Sequence, residues 1–173
     1  GNDINYTGFD NVLSANWPSF VDEISGIGSY EYAIGTTITG TDITDWESTG
    51  NDTIFTKTEL SLSSGFSYYT SVRAKDNAGN VGIAITSDGV TVDTHGPSAG
   101  NISDGDSDDL DWTNSEAFLE ANWQNFTDTL SGIQFYEYAI GTDLDSFALV
   151  SWTSAGAETF FIESDLTLIS GET

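Results

Sequence analysis

Residues 25–36 read SGIGSYEYAIGT, and residues 131–142 read SGIQFYEYAIGT. The whole chain aligns with itself at a shift of 106 residues, and 27 of the 67 aligned pairs are identical without any gap. An internal repeat of this length indicates two copies of one structural unit. Because each copy has about the size of a small domain, we predict two domains, residues 1–97 and 98–173.

The first copy consists of short segments in which apolar and polar residues alternate. Residues 13–17, 29–34 and 68–74 alternate with period two, as strands with one buried face do. Thr-rich residues 53–62 also read as a strand, and Gly, Asn and Asp turns separate the segments. No segment keeps a helical period. About seven short strands at intervals of about 8 to 12 residues are typical of a β-sandwich.

One stretch of the first copy resembles a known family. Residues 62–74, which read LSSGFSYYTSVRA, and the turn that follows at 76–80 resemble the sixth-strand signature of fibronectin type III domains. In that family the tyrosine at the place of Tyr68 forms a tyrosine corner, in which its hydroxyl bonds back to the preceding loop. Trp17 matches the core tryptophan of the second strand, and Tyr32 matches the tyrosine of the third.

The complete repeat is similar to tandem fibronectin type III or bacterial Ig-like repeats of large, adhesin-like bacterial cell-surface proteins. The resemblance implies an all-β fold of two tandem Ig-like or fibronectin III-like β-sandwiches. The second would lack its last two strands in this chain, because the alignment stops at residues 170–173, where its tyrosine-corner strand should begin. Such a sandwich exposes a hydrophobic cleft and unpaired strand edges. Either the natural chain continues, or another chain donates the missing strand.

The charge of the chain limits its partners. It carries 28 Asp and Glu against three Lys and Arg, a formal net charge of −25. A surface of this kind repels phosphate backbones and anionic headgroups, so we expect no nucleic-acid partner and no direct membrane contact. Such an acidic surface either attracts divalent cations or keeps the protein soluble in salty surroundings. The sequence has no cysteine, which excludes disulfides and thiol catalysis.

The most acidic segment follows the end of the first repeat. Its five carboxylates belong to Asp104, Asp106, Asp108, Asp109 and Asp111. Calcium binds about six to eight oxygens, and alternating carboxylates in a flexible loop supply several. We therefore predict Ca²⁺ at this inter-repeat linker, with a plain solvated acidic linker as the alternative. The segment departs from the EF-hand pattern, which needs a glycine at the sixth position and a glutamate at the twelfth.

Catalytic chemistry finds no support in the sequence. His95 is the only histidine, and it precedes Gly96 and Pro97, so we predict a turn residue rather than a general base. Neither a Ser-His-Asp set, nor a Cys-His pair, nor a glycine-rich phosphate loop can be assembled. We therefore predict that the chain is not an enzyme.

Two aromatic pairs recur at matching positions of the two copies. Trp46 recurs as Trp152, and Tyr30 recurs as Tyr136. Exposed aromatic rings can stack on sugars. Recurrence in both copies favours core packing instead, because both modules must fill the same interior.

The resemblance implies a non-catalytic structural or adhesive repeat of a long extracellular bacterial surface protein, which acts as a stalk or spacer that presents a binding tip. Its partners would be neighbouring repeats of the same chain, a donated strand from another chain, and a glycan or cell-surface ligand. One alternative is an accessory spacer or carbohydrate-binding module of a secreted polysaccharide-degrading enzyme. Another is a filament subunit completed by a donated strand. The fold itself hosts many roles.

Overall fold

A computed structural model describes residues 3–142 and 149–169. The chain divides into two compact units, unit 1 at Gly1–His95 and unit 2 at Gly96–Thr173. All regular structure in the described residues is β-strand. The described part of the chain contains no helix of the length and apolarity that membrane crossing requires. The fold is an all-β arrangement of the Ig-like or fibronectin III-like kind.

Unit 1 is a two-sheet sandwich. Its strands are β1 Tyr6–Thr7, β2 Leu13–Asn16, β3 Ile27–Gly35, β4 Thr44–Gly50, β5 Ile54–Lys57, β6 Ser67–Asp76, β7 Ile85–Thr86 and β8 Val90–Val92. One sheet has the order β1-β8-β6-β3-β4, with β7 also paired to β6, and the other consists of β2 and β5. The β1–β8 pair is parallel, and the other pairs are antiparallel.

The buried faces of β3 and β6 form the centre of unit 1. Tyr30, Tyr32 and Ile34 share the inner face of β3, as their alternation predicts, and pack with side chains from β6 such as Val72. The hydroxyl of Tyr68 accepts a hydrogen bond from the backbone N–H of Ser63 at 2.8 Å. This bond is the tyrosine corner that the sequence led us to expect.

The strand expected at residues 53–62 is shorter in the structure. β5 ends at Lys57, and Glu59 has a φ of 61°, which turns the chain out of the ladder. The backbone N–H of Leu62 then donates to the carbonyl of Asp10 at 2.8 Å. The bend lets the side chain of Leu62 enter the core, and the threonine-rich composition carries no signal for it.

Unit 2 has five strands among its described residues. They are β9 Asn101–Asp104, β10 Leu119–Gln124, β11 Tyr136–Ile140, β12 Val150–Gly156 and β13 Phe160–Glu163. β9, β10 and β13 form one sheet with β10 in the centre, and β11 pairs with β12. Strands β10 to β13 lie where β2 to β5 lie in unit 1 at the shift of 106 residues. Residues 170–173, the expected start of a tyrosine-corner strand, lie outside the described residues.

The two units contain the same aromatic frame. The ring centres of Trp17 and Tyr30 are 5.9 Å apart, and those of Trp123 and Tyr136 are 5.7 Å apart. In unit 1 the rings of Tyr32 and Phe55 stack at 3.8 Å and 10°. In unit 2 the matching rings of Tyr138 and Phe161 stack at 4.2 Å and 9°. The same side chains therefore pack in the same way in both units.

Candidate functional site: the open strand edge of unit 2

Strand β11 is the centre of the candidate site. In unit 1 the matching strand β3 is hydrogen-bonded on both sides, to β4 and to β6. Within the described residues β11 is bonded only to β12, so its other edge carries backbone N–H and C=O groups without a strand partner. An exposed edge of this kind is a template for pairing with another strand.

An apolar cleft of about 480 Å³ lies beside this edge, within unit 2. Its walls are mostly aromatic. They include Trp123, Phe126, Phe135, Tyr136, Tyr138 and Phe161. Glu137 is the one charged side chain among the residues that line the cleft. A concave apolar surface with a single charge is typical of a site that binds a mainly apolar partner with one polar anchor.

In unit 1 most of the counterparts of the cleft residues lie in or against the core, and two of them contact Arg73 of β6. Ten of the twelve lining residues have a counterpart at the shift of 106, and nine of these ten are identical. Those nine counterparts are Trp17, Phe20, Ile27, Tyr30, Glu31, Tyr32, Ala33, Trp46 and Phe55. The tenth pair is Phe135, which stands where unit 1 has Ser29. The cleft is thus lined by nearly the same side chains as the matching part of unit 1.

Burial differs between the units accordingly. Twelve of the fourteen buried apolar side chains among the described residues lie in unit 1, and two, Ala121 and Trp123, lie in unit 2. Trp17 and Trp123 are equally buried, at 7% and 6% exposure. Tyr30 is buried at 4%, whereas Tyr136 is only half-buried. Tyr30 and Tyr136 therefore differ in burial at the strand whose edge is paired with β6 in unit 1.

A cation joins three strands on the outer face of unit 1. The Nε of Arg73 on β6 lies 2.7 Å from Oε2 of Glu31 on β3. Its guanidinium carbon lies 4.0 Å from the ring centre of Trp46 on β4. We call this set the arginine clip. It corrects our prediction that Trp46 recurs because it fills the core: Trp46 is half-buried and lies under a guanidinium instead.

Two of the three residues of the arginine clip have counterparts in unit 2. Glu137 stands where Glu31 stands, and Trp152, 60% exposed, stands where Trp46 stands. The position of Arg73 would fall beyond residue 173 at the same shift. Residues 96–173 contain no lysine or arginine.

A tyrosine–carboxylate pair recurs on the inner side of both units. In unit 1 the hydroxyl of Tyr32 donates to Glu47 at 2.8 Å, and Lys57 lies 2.7 Å from the other carboxylate oxygen. Burial, followed by the bond to Glu47, raises the pKa of Tyr32 to about 12. The hydrogen bonds from Lys57 and Tyr32 hold the pKa of Glu47 below its usual value.

In unit 2 the carboxylate comes from a different strand. The hydroxyl of Tyr138 donates to Glu163 of β13 at 2.6 Å, and Glu163 stands where unit 1 has Lys57. The bond to Glu163, followed by burial, raises the pKa of Tyr138 to about 12. Thr153 occupies the place of Glu47. Both copies thus keep a tyrosine–carboxylate hydrogen bond, although the residues at the positions of Glu47 and Lys57 have changed.

The loops that lead into β3 and β11 are also built alike. The carboxylate of Asp22 accepts the backbone N–H groups of Ile24, Ser25 and Gly26 at 3.0, 2.7 and 3.1 Å. These bonds, with that from Ser25 the largest cause, lower the pKa of Asp22. In unit 2 the carboxylate of Asp128 accepts three matching N–H groups at 2.9 to 3.0 Å. The two loops thus share one pattern of hydrogen bonds, although β3 begins one residue after Gly26 and β11 begins four residues after Gly132.

The predicted calcium ligands lie in unit 2 rather than between the units. Asp104 ends β9, which pairs with β10, and the other four follow in the next loop. The carboxylate of Asp109 accepts the backbone N–H of Asp104 at 3.0 Å, and that of Asp106 accepts the hydroxyl of Ser107 at 3.1 Å. No three His, Asp or Glu side chains in the described residues form a metal-binding group. Calcium at this loop stays a prediction.

His95 lies at the end of unit 1. Its Nδ1 is 3.3 Å from the hydroxyl oxygen of Ser64. The nearby carboxylate of Asp93 accepts the backbone N–H of His95 at 3.2 Å through Oδ1, and its Oδ2 is buried without a hydrogen-bond partner among the described residues. A triad needs a carboxylate on the imidazole nitrogen opposite the serine. The residues therefore form a turn that ties the chain to the loop before β6.

No protein-family model and no curated protein matches this chain. Among solved structures, it is similar to the crystal structure of chicken CNTN1 FN1-FN3 domains, with 12% identity and a TM-score of 0.45. That match covers 95% of this chain and 53% of the other, so this chain spans about half of its length.

Proposed function

We propose that this chain is a non-catalytic structural repeat, a spacer in a long extracellular bacterial surface protein that presents a binding tip. The main support is the aromatic frame, which recurs in both units with matching ring distances and angles. Side chains that recur in this way serve to build one module repeatedly, as repeat proteins do. A fibronectin III-like fold is itself typical of structural and spacer domains.

The charge distribution is consistent with this role. All three basic residues lie in unit 1, and two of them, Lys57 and Arg73, form ion pairs within it. The surface that remains is strongly acidic. Such a surface keeps neighbouring chains apart and soluble, which suits dense display outside a cell.

Single-molecule stretching of the chain between two handles tests the spacer role. A load-bearing unit 1 should give one discrete unfolding event that lengthens the chain by about 300 Å, because its 95 residues extend to about 3.3–3.6 Å each. The same protein after chemical denaturation serves as the control. Smooth extension at low force, with no discrete event, would contradict the proposal.

The second candidate function is an accessory carbohydrate-binding module of a secreted polysaccharide-degrading enzyme. The observation that favours it is the exposure of aromatic rings at the cleft, with Trp152 60% and Phe135 50% exposed. Rings of this kind stack on sugars. A glycan panel tests it, with Trp152→Ala and the matched Trp46→Ala as variants. Binding lost only with Trp152→Ala would favour this function over the spacer.

A further inference from the structure

We propose that Asn51, in the turn between β4 and β5 of unit 1, is an acceptor of an N-linked glycan. The sugar would come from a donor activated as a glycosyl diphosphate, carried either on a nucleoside or on a lipid. This modification goes beyond the spacer role, which requires no covalent sugar.

The chain contains four sequences of the form Asn-x-Ser or Asn-x-Thr without proline in the middle, which is the pattern that N-glycosylation requires. They begin at Asn5, Asn51, Asn101 and Asn125. All four asparagines are exposed, so exposure alone does not distinguish them. A transferase must also take the surrounding peptide into its active site, and surface turns allow this more easily than paired strands. The backbone around each asparagine therefore decides which one is the acceptor.

Three of the four sequences are tied into backbone pairing, or their asparagine has a structural reason. The carbonyl of Asn5 accepts the backbone N–H of Thr91 at 2.9 Å, next to the β1–β8 pair. Asn101 belongs to β9 and pairs with Gln124 of β10. Asn125 has a φ of 63°, a conformation that asparagine tolerates better than most residues do. These three are therefore poorer acceptors than Asn51.

Asn51 takes no part in the hydrogen bonds that hold its turn. The backbone N–H of Gly50 donates to the hydroxyl of Ser48 at 3.1 Å, and that of Asp52 donates to the carbonyl of Thr49 at 3.3 Å. Among the described residues, the side-chain amide of Asn51 has no hydrogen-bond partner. The nitrogen that would accept the sugar is therefore both exposed and unpaired.

The turn itself does not need an asparagine. Asparagine is favoured in turns because it tolerates a positive φ and because its side chain bonds nearby backbone groups. Here Gly50 takes the positive φ, at 62°, and Asn51 does not. Unit 2 builds the matching turn with Ala157 at this place. Gly156 has a φ of 61°, and the N–H of Glu158 donates to the carbonyl three residues earlier at 3.1 Å.

Thr53 supplies the hydroxyl that the sequence pattern requires. Its carbonyl accepts the backbone N–H of Trp17 at 3.0 Å, and the carbonyl of Thr159 accepts that of Trp123 at 2.9 Å. The backbone thus holds both threonines in place. In the described part of the chain the hydroxyl of Thr53 makes no hydrogen bond, so a transferase can read it together with Asn51. The turn of unit 2 lacks only the asparagine.

The transfer is a substitution at the anomeric carbon of the sugar. A bond forms between Nδ2 of Asn51 and C1, and the bond from C1 to the diphosphate oxygen breaks. The electron pair of that bond stays on the diphosphate, and one amide proton passes to a base of the transferase. Nothing is oxidised or reduced. The product carries a bulky, solubilising group on the surface of unit 1.

Peptide mapping by mass spectrometry, on the protein isolated from the cells that produce it, is the first test. We expect a glycan on the peptide that contains Asn51 and none at the other three sequences. Unmodified Asn51 in every molecule, or a glycan at another of the four alone, would overturn the proposal. A glycan at Asn51 and at a second sequence would support the acceptor and contradict the ranking.

Variants of the whole chain made in the same cells test the pattern. Asn51→Gln and Thr53→Val should each abolish the glycan, whereas Thr53→Ser should keep it. Ala157→Asn completes the pattern with Thr159 in the matching turn, and it should add a second glycan. A glycan that survives Thr53→Val, or an Ala157→Asn chain that gains none, would overturn our argument from the turn.

Thermal unfolding of chains made by cell-free synthesis, which carry no sugar, separates modification from folding. The midpoint should be the same for the parent chain and for Asn51→Gln, because no bond of the turn involves Asn51. A lower midpoint for Asn51→Gln would give the residue a structural role and contradict the proposal.

The two sources of sugar are distinguished by two incubations of the unmodified chain. One contains the soluble fraction of the same cells and UDP-glucose, and the other contains their membrane fraction with its lipid-linked glycans. Transfer in the first alone identifies a nucleotide-linked donor, and transfer in the second alone identifies a lipid-linked donor. Transfer to neither chain position nor control, with Asn51→Gln as the control, would overturn the proposal. Unfolding of unit 1 under force is independent of all these results.

Discussion

Unit 1 and unit 2 share an aromatic frame but not a completed core. In unit 1, β6 lies between β3 and β8, and Tyr30 and Tyr32 on the neighbouring strand β3 are buried. In unit 2 the same tyrosines stand beside a cleft of about 480 Å³ and are half-buried. The rings around Trp17 come from residues on or between β2 to β5, and those around Trp123 from residues on or between β10 to β13. The sixth strand adds closure rather than the frame itself.

The largest expected difference concerns the central tryptophans. Trp17→Ala should lower the free energy of unfolding of unit 1 by about 3–5 kcal/mol, since it leaves a closed cavity. Trp123→Ala should cost about half as much, because the space it leaves joins a cleft that water can enter. The indole N–H of both residues is buried without a partner, so that term cancels.

Hydrogen exchange in denaturant, read separately for peptides from each unit, measures the two tryptophan effects. Leu13→Ala on β2 and Leu119→Ala on β10, each four residues before the tryptophan of its unit, form a control pair at matching positions. Equal losses in the free energy of unfolding for the two tryptophan variants would mean that the cleft does not lower the cost of the cavity. The two units would then not differ in this respect.

The arginine clip should give the next largest difference. Glu31→Gln should cost unit 1 about 1 kcal/mol, because the ion pair with Arg73 is partly shielded from water and the guanidinium also stacks on Trp46. Glu137→Gln should change the stability of unit 2 by less than about 0.5 kcal/mol, since residues 96–173 contain no lysine or arginine to pair with it. Urea unfolding of both variants measures the pair of values, and a loss of about 1 kcal/mol for Glu137→Gln would contradict the assignment.

The sequence predicts the frame of the fold because burial on one face of a strand leaves a period of two. Leu13 and Trp17 alternate with polar residues, and so do Tyr30 and Tyr32; the structure places all four in the core. The hydroxyl bond of Tyr68 follows from the resemblance and is confirmed. The exposed cleft of unit 2 also follows from the alignment, because the walls recur without their filling strand.

The partners of side chains between strands could not be predicted, because they depend on register. Trp46 and Glu31 recur in the sequence, but only the pairing of β3 with both neighbours shows that they meet through Arg73. The change from Lys57 to Glu163 looks like drift between the copies. The structure shows that Glu163 accepts the hydroxyl hydrogen bond of Tyr138.

The tyrosine–carboxylate pairs should differ more subtly. Both hydroxyls have a pKa raised to about 12, but burial is the main cause for Tyr32 and the bond to Glu163 is the main cause for Tyr138. Glu163→Gln should therefore lower the pKa of Tyr138 more than Glu47→Gln lowers that of Tyr32. Tyrosinate absorbance during alkaline titration measures both. A larger drop for Tyr32 would reverse the stated order of causes.

The same pair sets a stability change at high pH. An unfolded tyrosine loses its proton near its ordinary pKa of about 10, while the folded ones keep theirs to about 12. The contribution is therefore complete below pH 10 and is lost as the pH rises through 12. After screening by solvent it amounts to less than about 1 kcal/mol for each pair. Tyr32→Phe and Tyr138→Phe should flatten this loss in the pH dependence of the denaturation midpoint.

Calcium should have the smallest effect, and it would act on unit 2 alone. At a free Ca²⁺ concentration equal to the dissociation constant, binding to the loop at residues 104–111 would add about 0.4 kcal/mol to the free energy of unfolding. Calorimetric titration of the parent chain and of the Asp104→Asn, Asp106→Asn, Asp108→Asn variant measures this binding. Because Asp106 and Asp109 already accept hydrogen bonds within the loop, a bound ion must compete with them. Equal heats and equal melting for both proteins would reduce this loop to a solvated acidic segment, and the contrast between the units would then rest on the cleft alone.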